Sequence, residues 1–187
     1  MEIYLTQEEY KHALDVGFDR NLKHRLEDGT RKGTKYRTGR ELPDIAGDML
    51  GCVAEAAVAK AFNTKWNDEP WDLANHNERK KAPDVEPYFE VRRINREDGR
   101  LSIRGDDDPE KVAVLVWVDW QNSQRSVILG AVKIAEAREK AVPVNKATSS
   151  DNYVYFPATD SYLVDQKGLA DALSYTPTAL EQETLSA

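Results

Sequence analysis

Two helical patterns of different kinds lie in the first third of the chain. Thr6 and Glu9 form a capping box, which predicts a helix start. Large apolar residues then recur every four positions to about residue 26 and form one stripe: Tyr10, Leu14, Phe18, Leu22 and Leu26. Asp28-Gly29 is a stop signal. The second pattern, over 44–62, has small residues around its whole circumference, which predicts a helix packed closely against a sheet.

From residue 84 onward the pattern is typical of strands. A short strand at 84–85, a turn at Glu86-Pro87 and a strand over 88–95 are predicted. A tight turn at Asp98-Gly99 leads into a strand over 101–104. The nearly continuous apolar run 112–120 predicts a central strand buried on both faces. Further elements are predicted at the end of the chain: strands over 126–132 and 153–156, and helices over 134–140 and 164–173.

These elements predict an α/β protein with a mixed central β-sheet flanked by helices. The 187 residues suit one such domain over 42–176, preceded by a helix and basic loop over 1–41 and followed by a flexible tail over 177–187. The single cysteine, Cys52, excludes an intramolecular disulfide and is expected to be a small core residue. Without a signal peptide or a long apolar run, a cytoplasmic protein with no membrane association is expected.

Charge is distributed unevenly along the chain. The net charge is −7, yet residues 20–40 contain eight basic and two acidic residues. Such a segment can contact phosphates although the whole chain is negative. A solvated charged loop is an equally good interpretation of this segment alone.

Acidic residues concentrate near the predicted strand over 88–95. Alternation places Glu90 and Arg92 on one face of this strand, and a turn through Glu86-Pro87 brings Asp84 beside Glu90. Converging carboxylates repel each other and favour a cation between them, and Mg²⁺ prefers such oxygen ligands. A third carboxylate, Glu55, can approach from the helix over 44–62. The alternative is an exposed charge pair, Glu90 and Arg92, next to an ordinary turn.

The motif Pro83-Asp84 followed by Glu90-Val91-Arg92 resembles that of the PD-(D/E)XK, or restriction-endonuclease-like, nucleases, and the small-residue helix around Glu55 resembles their metal-site helix. Residues 42–135 also resemble small phage and prophage proteins. The resemblance implies metal-dependent hydrolysis of DNA phosphodiester bonds, with Glu55, Asp84, Glu90 and Arg92 as catalytic residues. It also implies that Mg²⁺ or Mn²⁺ is held by Asp84, Glu90 and Glu55. If the protein is phage-encoded, it would act in the host cytoplasm.

One departure from the family pattern concerns the last motif position. Arg92 stands where these nucleases usually have lysine, and Lys80 or Lys81 could replace that lysine spatially. Arginine keeps the charge and adds bidentate phosphate contacts, but it does not readily release a proton. The residues expected to bind nucleic acid are basic: Arg31, Lys32, Lys35, Arg37, Arg40, Lys80, Lys81 and Arg93.

Two other functions remain open at this point. Arg92 motivates a degenerate nuclease fold that binds nucleic acid without cleaving it. The acidic C-terminal region motivates a role in binding a host or phage protein. The run Asp106-Asp107-Asp108-Pro109 could be mistaken for a metal cluster, but a loop or a helix cap is the better interpretation.

Overall fold

A computed structural model of the protein describes residues 1–27, 44–69, 82–105, 107–119, 121–122, 124–140, 142–143 and 154–157. The protein is a mixed α/β structure. In chain order its elements are β1 (Glu2–Tyr4), α1 (Gln7–Glu27), α2 (Asp44–Phe62), β2 (Phe89–Ile94), β3 (Arg100–Ile103), β4 (Val112–Val118), β5 (Arg125–Lys133), α3 (Ile134–Lys140), β6 (Val142–Pro143) and β7 (Val154–Pro157). In the described part of the chain, no helix is long and apolar enough to cross a membrane.

The larger sheet has four strands in the order β1-β5-β4-β2. Its β4 pairs in parallel with β2 and antiparallel with β5, and β1 pairs antiparallel with β5. The parallel pair requires a crossover between β2 and β4, and this connection contains β3. Strand β3 belongs to a second, three-stranded antiparallel sheet in the order β3-β7-β6.

Strand β4 separates two apolar clusters. Val114, Val116 and Val118 face the first cluster, to which α2 and part of α1 contribute. Ala113 and Leu115 face the second cluster, which contains residues of β3, β5 and α3. All five side chains are buried, as the continuous apolar run over 112–120 predicts for a strand covered on both faces.

Helix α1 lies close against α2 at Gly17. A Cβ atom at this position would lie 2.4 Å from the Cα of Met49 and 2.8 Å from the carbonyl oxygen of Asp48. The Asn21 amide, one turn further along, donates a 2.6 Å hydrogen bond to Asp48 Oδ2. Glycine therefore permits a backbone separation that any larger residue would increase.

The sequence prediction is confirmed for most elements and wrong in a few details. The capping box is present, since the Thr6 amide donates to Glu9 Oε2 at 2.6 Å and the Glu9 amide donates to Thr6 Oγ1 at 3.2 Å. However, the apolar stripe of α1 is not wholly covered, because Phe18 and Leu22 are exposed. The predicted strand at 84–85 is an isolated bridge at Val85. The basic loop, the stop signal and the predicted helix over 164–173 lie outside the described residues.

Candidate functional site

Asp84 lies against the edge of β2. The amide and carbonyl groups of Val85 and Phe89 exchange two hydrogen bonds, of 3.1 and 2.9 Å, which close the turn through Glu86-Pro87. The turn brings Asp84 Oδ2 within 2.8 Å of the backbone amide of Val91, which donates to it. The predicted placement of Asp84 beside the strand that carries Glu90 is therefore confirmed.

Glu90 and Arg92 project from the same face of β2, as the alternation predicts. Arg92 Nη1 lies 3.4 Å from Glu90 Oε2 and 3.9 Å from Asp84 Oδ2. One guanidinium nitrogen is thus within 4 Å of both carboxylates. Asp84 and Glu90, which come from separate segments, converge on a position that a cationic group occupies.

Lys111 also belongs to this site, although it was not among the residues predicted from the sequence. Its Nζ donates to Glu90 Oε1 at 2.6 Å and to the carbonyl oxygen of Ala82 at 3.0 Å, and the residue is buried. Lys111 directly precedes β4, which is the parallel neighbour of β2. The sequence did contain a signal for Lys111, since it is a lysine at the start of a strand predicted to be buried on both faces. A buried ammonium needs an anionic partner, so an acid nearby was to be expected. The alternative lysines, Lys80 and Lys81, lie outside the described residues.

Glu55 is held by a different cation. Arg20 of α1 donates from Nη1 to Glu55 Oε2 at 2.8 Å, and both side chains are largely buried. The Arg20 guanidinium also contacts Cys52 Sγ at 3.2 Å and the carbonyl oxygen of Asn67. Helical periodicity alone does not show that Arg20 faces α2, so in the sequence Arg20 is simply one of the basic residues of the segment 20–40.

The three acids do not lie on the same face of the sheet. Phe89 and Val91 pack in the cluster that contains α2, so Glu90 and Arg92 project from the opposite face of the sheet. Glu55 approaches from the α2 side, and Asp84 lies at the edge between them. Across the described residues, no group of three or more His, Cys, Asp or Glu side chains is arranged to hold a metal ion.

The donor set nevertheless fits one kind of metal site. Magnesium in phosphoryl-transfer enzymes is commonly bound by one or two carboxylates, with water and phosphate oxygens completing its shell. Asp84 and Glu90 meet this requirement, since each directs an oxygen toward a shared cationic group. Glu55 does not join them in this structure, because its carboxyl group accepts the hydrogen bond from Arg20.

Burial and like charges raise the pKa values of two acids, Glu55 and Glu90. Burial, followed by the charge of Asp84, raises the pKa of Glu55 to about 8, although Arg20 opposes the shift. Burial and Asp84 likewise raise the pKa of Glu90, against the hydrogen bond from Lys111. For Arg92, burial opposes the charged form, but Asp107, Asp84 and Glu90 outweigh it and raise the pKa of the guanidinium. Such perturbed groups are typical of functional sites and also of structural ion-pair networks.

Two of the three aspartates in the run 106–108 have distinct roles. Asp108 accepts a 3.0 Å hydrogen bond from the Glu110 amide in the turn before β4. The loop interpretation is therefore confirmed, and the helix cap is wrong, because a strand follows this turn. Asp107 instead accepts a 2.7 Å hydrogen bond from Arg92 Nη2 and so joins the site. Asp106 lies outside the described residues.

Most of the residues expected to bind nucleic acid cannot be placed. Arg31, Lys32, Lys35, Arg37 and Arg40 lie outside the described residues, as do Lys80 and Lys81.

Arg93 can be placed, on the α2 side of the sheet. It donates to Asn95 Oδ1, and its Nη2 lies 4.0 Å from where a Cβ of Gly47 would be. Burial lowers the pKa of its guanidinium. Arg93 therefore projects away from Glu90 and Arg92.

Comparison with known proteins adds no relative. No protein-family model matches the chain, no curated protein matches it, and no solved structure matches it. What the chain does is therefore inferred from its own residues and their contacts.

Proposed function

We propose that the protein is a nuclease of the PD-(D/E)XK type that hydrolyses DNA phosphodiester bonds with the help of Mg²⁺ or Mn²⁺. One observation carries this proposal: Asp84 and Glu90 converge on a single cationic nitrogen. Two acids from separate segments are brought together only at an energetic cost, which a cation between them offsets. The motif resemblance identifies the same two acids as the core of the site.

A restriction-endonuclease-like core is part of the same proposal. It is supported by the order along the chain of α2, then the three strands β2, β4 and β5 of the larger sheet, then α3. It is also supported by the packing of α2, which carries Glu55, against the sheet that carries Glu90.

In this proposal the chain's own residues have separate tasks. Asp84 and Glu90 hold the cation, which when bound lowers the pKa of its water and polarises a phosphate oxygen. Lys111 orients Glu90 by binding its Oε1 and leaves Oε2 directed toward Asp84 and Arg92. Arg92 binds a phosphate oxygen and offsets the negative charge that develops there. Glu55 supports the site from the α2 side.

The test combines metal binding with cleavage. Glu90→Gln and Asp84→Asn are expected to abolish Mg²⁺- or Mn²⁺-dependent cleavage of duplex, single-stranded or branched DNA. They are also expected to remove Mn²⁺ binding in calorimetric titrations. Glu110→Gln is the matched control, because Glu110 is exposed and pairs only with Lys133 among the described residues. Circular dichroism and melting temperatures show whether each variant folds. Full cleavage by a folded Glu90→Gln variant would refute the proposal.

A second function, DNA binding without cleavage, is favoured by the ion pairs. Arg92 fills the position between Asp84 and Glu90, and Lys111 and Arg20 pair with Glu90 and Glu55. A domain of this kind binds DNA mainly through phosphates, so its affinity falls steeply with salt. Salt-sensitive binding with no cleavage in any divalent ion would select this function. Affinity that is independent of ionic strength would exclude it.

A further inference from the structure

Arg92 has three carboxylate neighbours at unequal distances. Its Nη2 donates to Asp107 Oδ1 at 2.7 Å, whereas Nη1 lies 3.4 Å from Glu90 and 3.9 Å from Asp84. Its Nε is buried and has no hydrogen-bond partner in the described part of the chain. The shortest of these contacts, and so the one that sets the direction of the guanidinium plane, is the one to Asp107.

Asp107 is itself fixed by two other elements. Its Oδ2 accepts a 2.7 Å hydrogen bond from the Arg104 amide, which leaves Oδ1 directed at Arg92. Arg138 of α3 donates to the carbonyl oxygens of Arg104 at 3.2 Å, of Gly105 at 3.0 Å and of Asp107. Arg104, Gly105 and Asp107 are thus attached to α3. The Asp107 side chain is only 9% exposed, so it has little freedom to leave Arg92.

Lys111, four residues further along, binds Glu90 from the other side. Lys111 holds Oε1, while Oε2 is the oxygen directed toward Asp84 and Arg92. Glu90 Oε2 and Asp84 Oδ2, which also accepts from the Val91 amide, therefore face the guanidinium.

We propose that Asp107 is a positioning residue that holds Nη2 of Arg92, so that the guanidinium does not pair fully with Asp84 and Glu90 and the two carboxylates can accept a divalent cation. The inference rests on the cation site of the proposed function. Without the Asp107 carboxylate, the planar fork of Arg92 has only Asp84 and Glu90 as anionic partners among the described residues and pairs with them fully. The guanidinium then competes with the metal ion.

Calorimetric titration of the full chain with Mn²⁺ tests this competition. Asp107→Asn is expected to weaken Mn²⁺ binding about tenfold, the scale of one charge-assisted hydrogen bond. Asp108→Asn, which changes the exposed neighbouring aspartate, is the matched control and is expected to leave the affinity unchanged. Unchanged or tighter Mn²⁺ binding by Asp107→Asn would overturn the proposal.

A double-mutant cycle separates positioning from a general structural effect. In an Arg92→Met background no guanidinium can enter the site, so Asp107→Asn is expected to have no further effect on Mn²⁺ affinity. Equal weakening by Asp107→Asn in both backgrounds would mean that Asp107 only supports the fold, and would overturn the positioning role.

Nitrogen-15 NMR of the arginine side chains gives a readout that needs neither metal nor DNA. With both terminal nitrogens held, rotation about the Arg92 Nε–Cζ bond is slow, and Asp107→Asn is expected to shift the Nε–H resonance and speed this rotation. An unchanged Arg92 signal in Asp107→Asn would overturn the role of Asp107. Failure of the wild-type chain to bind Mn²⁺ would instead overturn the cation site, and with it the proposed function.

Discussion

At the scale of single residues, each acid of the site has a different hydrogen-bond donor as its partner. Arg20 of α1 pairs with Glu55, Lys111 before β4 pairs with Glu90, and the backbone amide of Val91 binds Asp84. Removing one partner of a buried pair leaves an uncompensated charge and typically costs about 3–5 kcal/mol. The site is therefore sensitive to substitution on both sides of the sheet.

The raised pKa of Glu55 predicts a particular dependence of stability on pH. The folded state keeps the Glu55 proton up to about pH 8, whereas the unfolded chain releases it near the ordinary value of 4.5. Between these values the folded state binds more protons, so the free energy of unfolding falls as pH rises. Glu55→Gln removes this contribution. The difference in urea-unfolding free energy between wild type and Glu55→Gln should therefore change by a few kcal/mol between pH 5 and 8.

Glu9 is the control for this measurement, because its shift has the opposite sign. Hydrogen bonds from Lys60 and from the Thr6 amide lower its pKa. Its contribution to stability is present above its unfolded pKa and is lost as pH falls through the folded value. The Glu9→Gln difference should therefore change only at the acidic end. A Glu55→Gln difference that is flat from pH 5 to 8 would contradict the buried, proton-retaining Glu55.

At the scale of elements, contact between α1 and α2 positions Arg20 over Glu55. The crossing is close because Gly17 has no side chain against Met49. Gly17→Ala places a Cβ atom 2.4 Å from the Met49 Cα, so the helices must separate, and overpacking of this kind costs about 1–3 kcal/mol.

The matched control is Gly51→Ala in α2, where an added Cβ has nothing within 4 Å. This substitution should stabilise the helix by about 0.5–1 kcal/mol. Denaturant midpoints distinguish the two outcomes. Equal stabilisation by both substitutions would show that the helices are not in close contact at Gly17.

Local patterns predicted the elements better than they predicted the partners of those elements. Capping, small-residue content and the apolar run over 112–120 each depend on neighbouring residues, and α1, α2 and β4 follow them. The three-residue β1 and two-residue β6 are too short to give a periodic pattern. The partner of β3 is β7, about fifty residues later, and no feature of either strand encodes that pairing.

For the candidate site too, local patterns identified residues within one segment but not their partners from distant elements. Asp84, Glu90 and Arg92 were identified from a motif and from alternation along one strand. Arg20 and Lys111 were not, because they reach the site only through packing between distant elements. Salt-bridge partners across elements depend on tertiary structure, which short-range spacing does not contain.

At the scale of the whole molecule, β4 joins the two apolar clusters. Its alternate side chains enter opposite clusters, so neither cluster can lose its packing without exposing one face of the same strand. Strand β2 pairs with β4 through six residue pairs, from Phe89↔Val112 to Ile94↔Trp117. Phosphate chemistry at the edge of β2 would therefore depend on the packing of both apolar clusters, because both hold β4 in place. The molecule is therefore expected to unfold as one cooperative unit.

Matched truncations in the two clusters test this cooperativity. Ile103 is fully buried in the second cluster and Val116 is fully buried in the first. Ile103→Ala is expected to cost about 2–5 kcal/mol, and Val116→Ala, which removes fewer atoms, somewhat less. Both should lower the midpoint of one transition that circular dichroism and tryptophan fluorescence report identically. If circular dichroism and tryptophan fluorescence instead gave different midpoints for Ile103→Ala, the two clusters would unfold independently. The site would then depend on the first cluster alone.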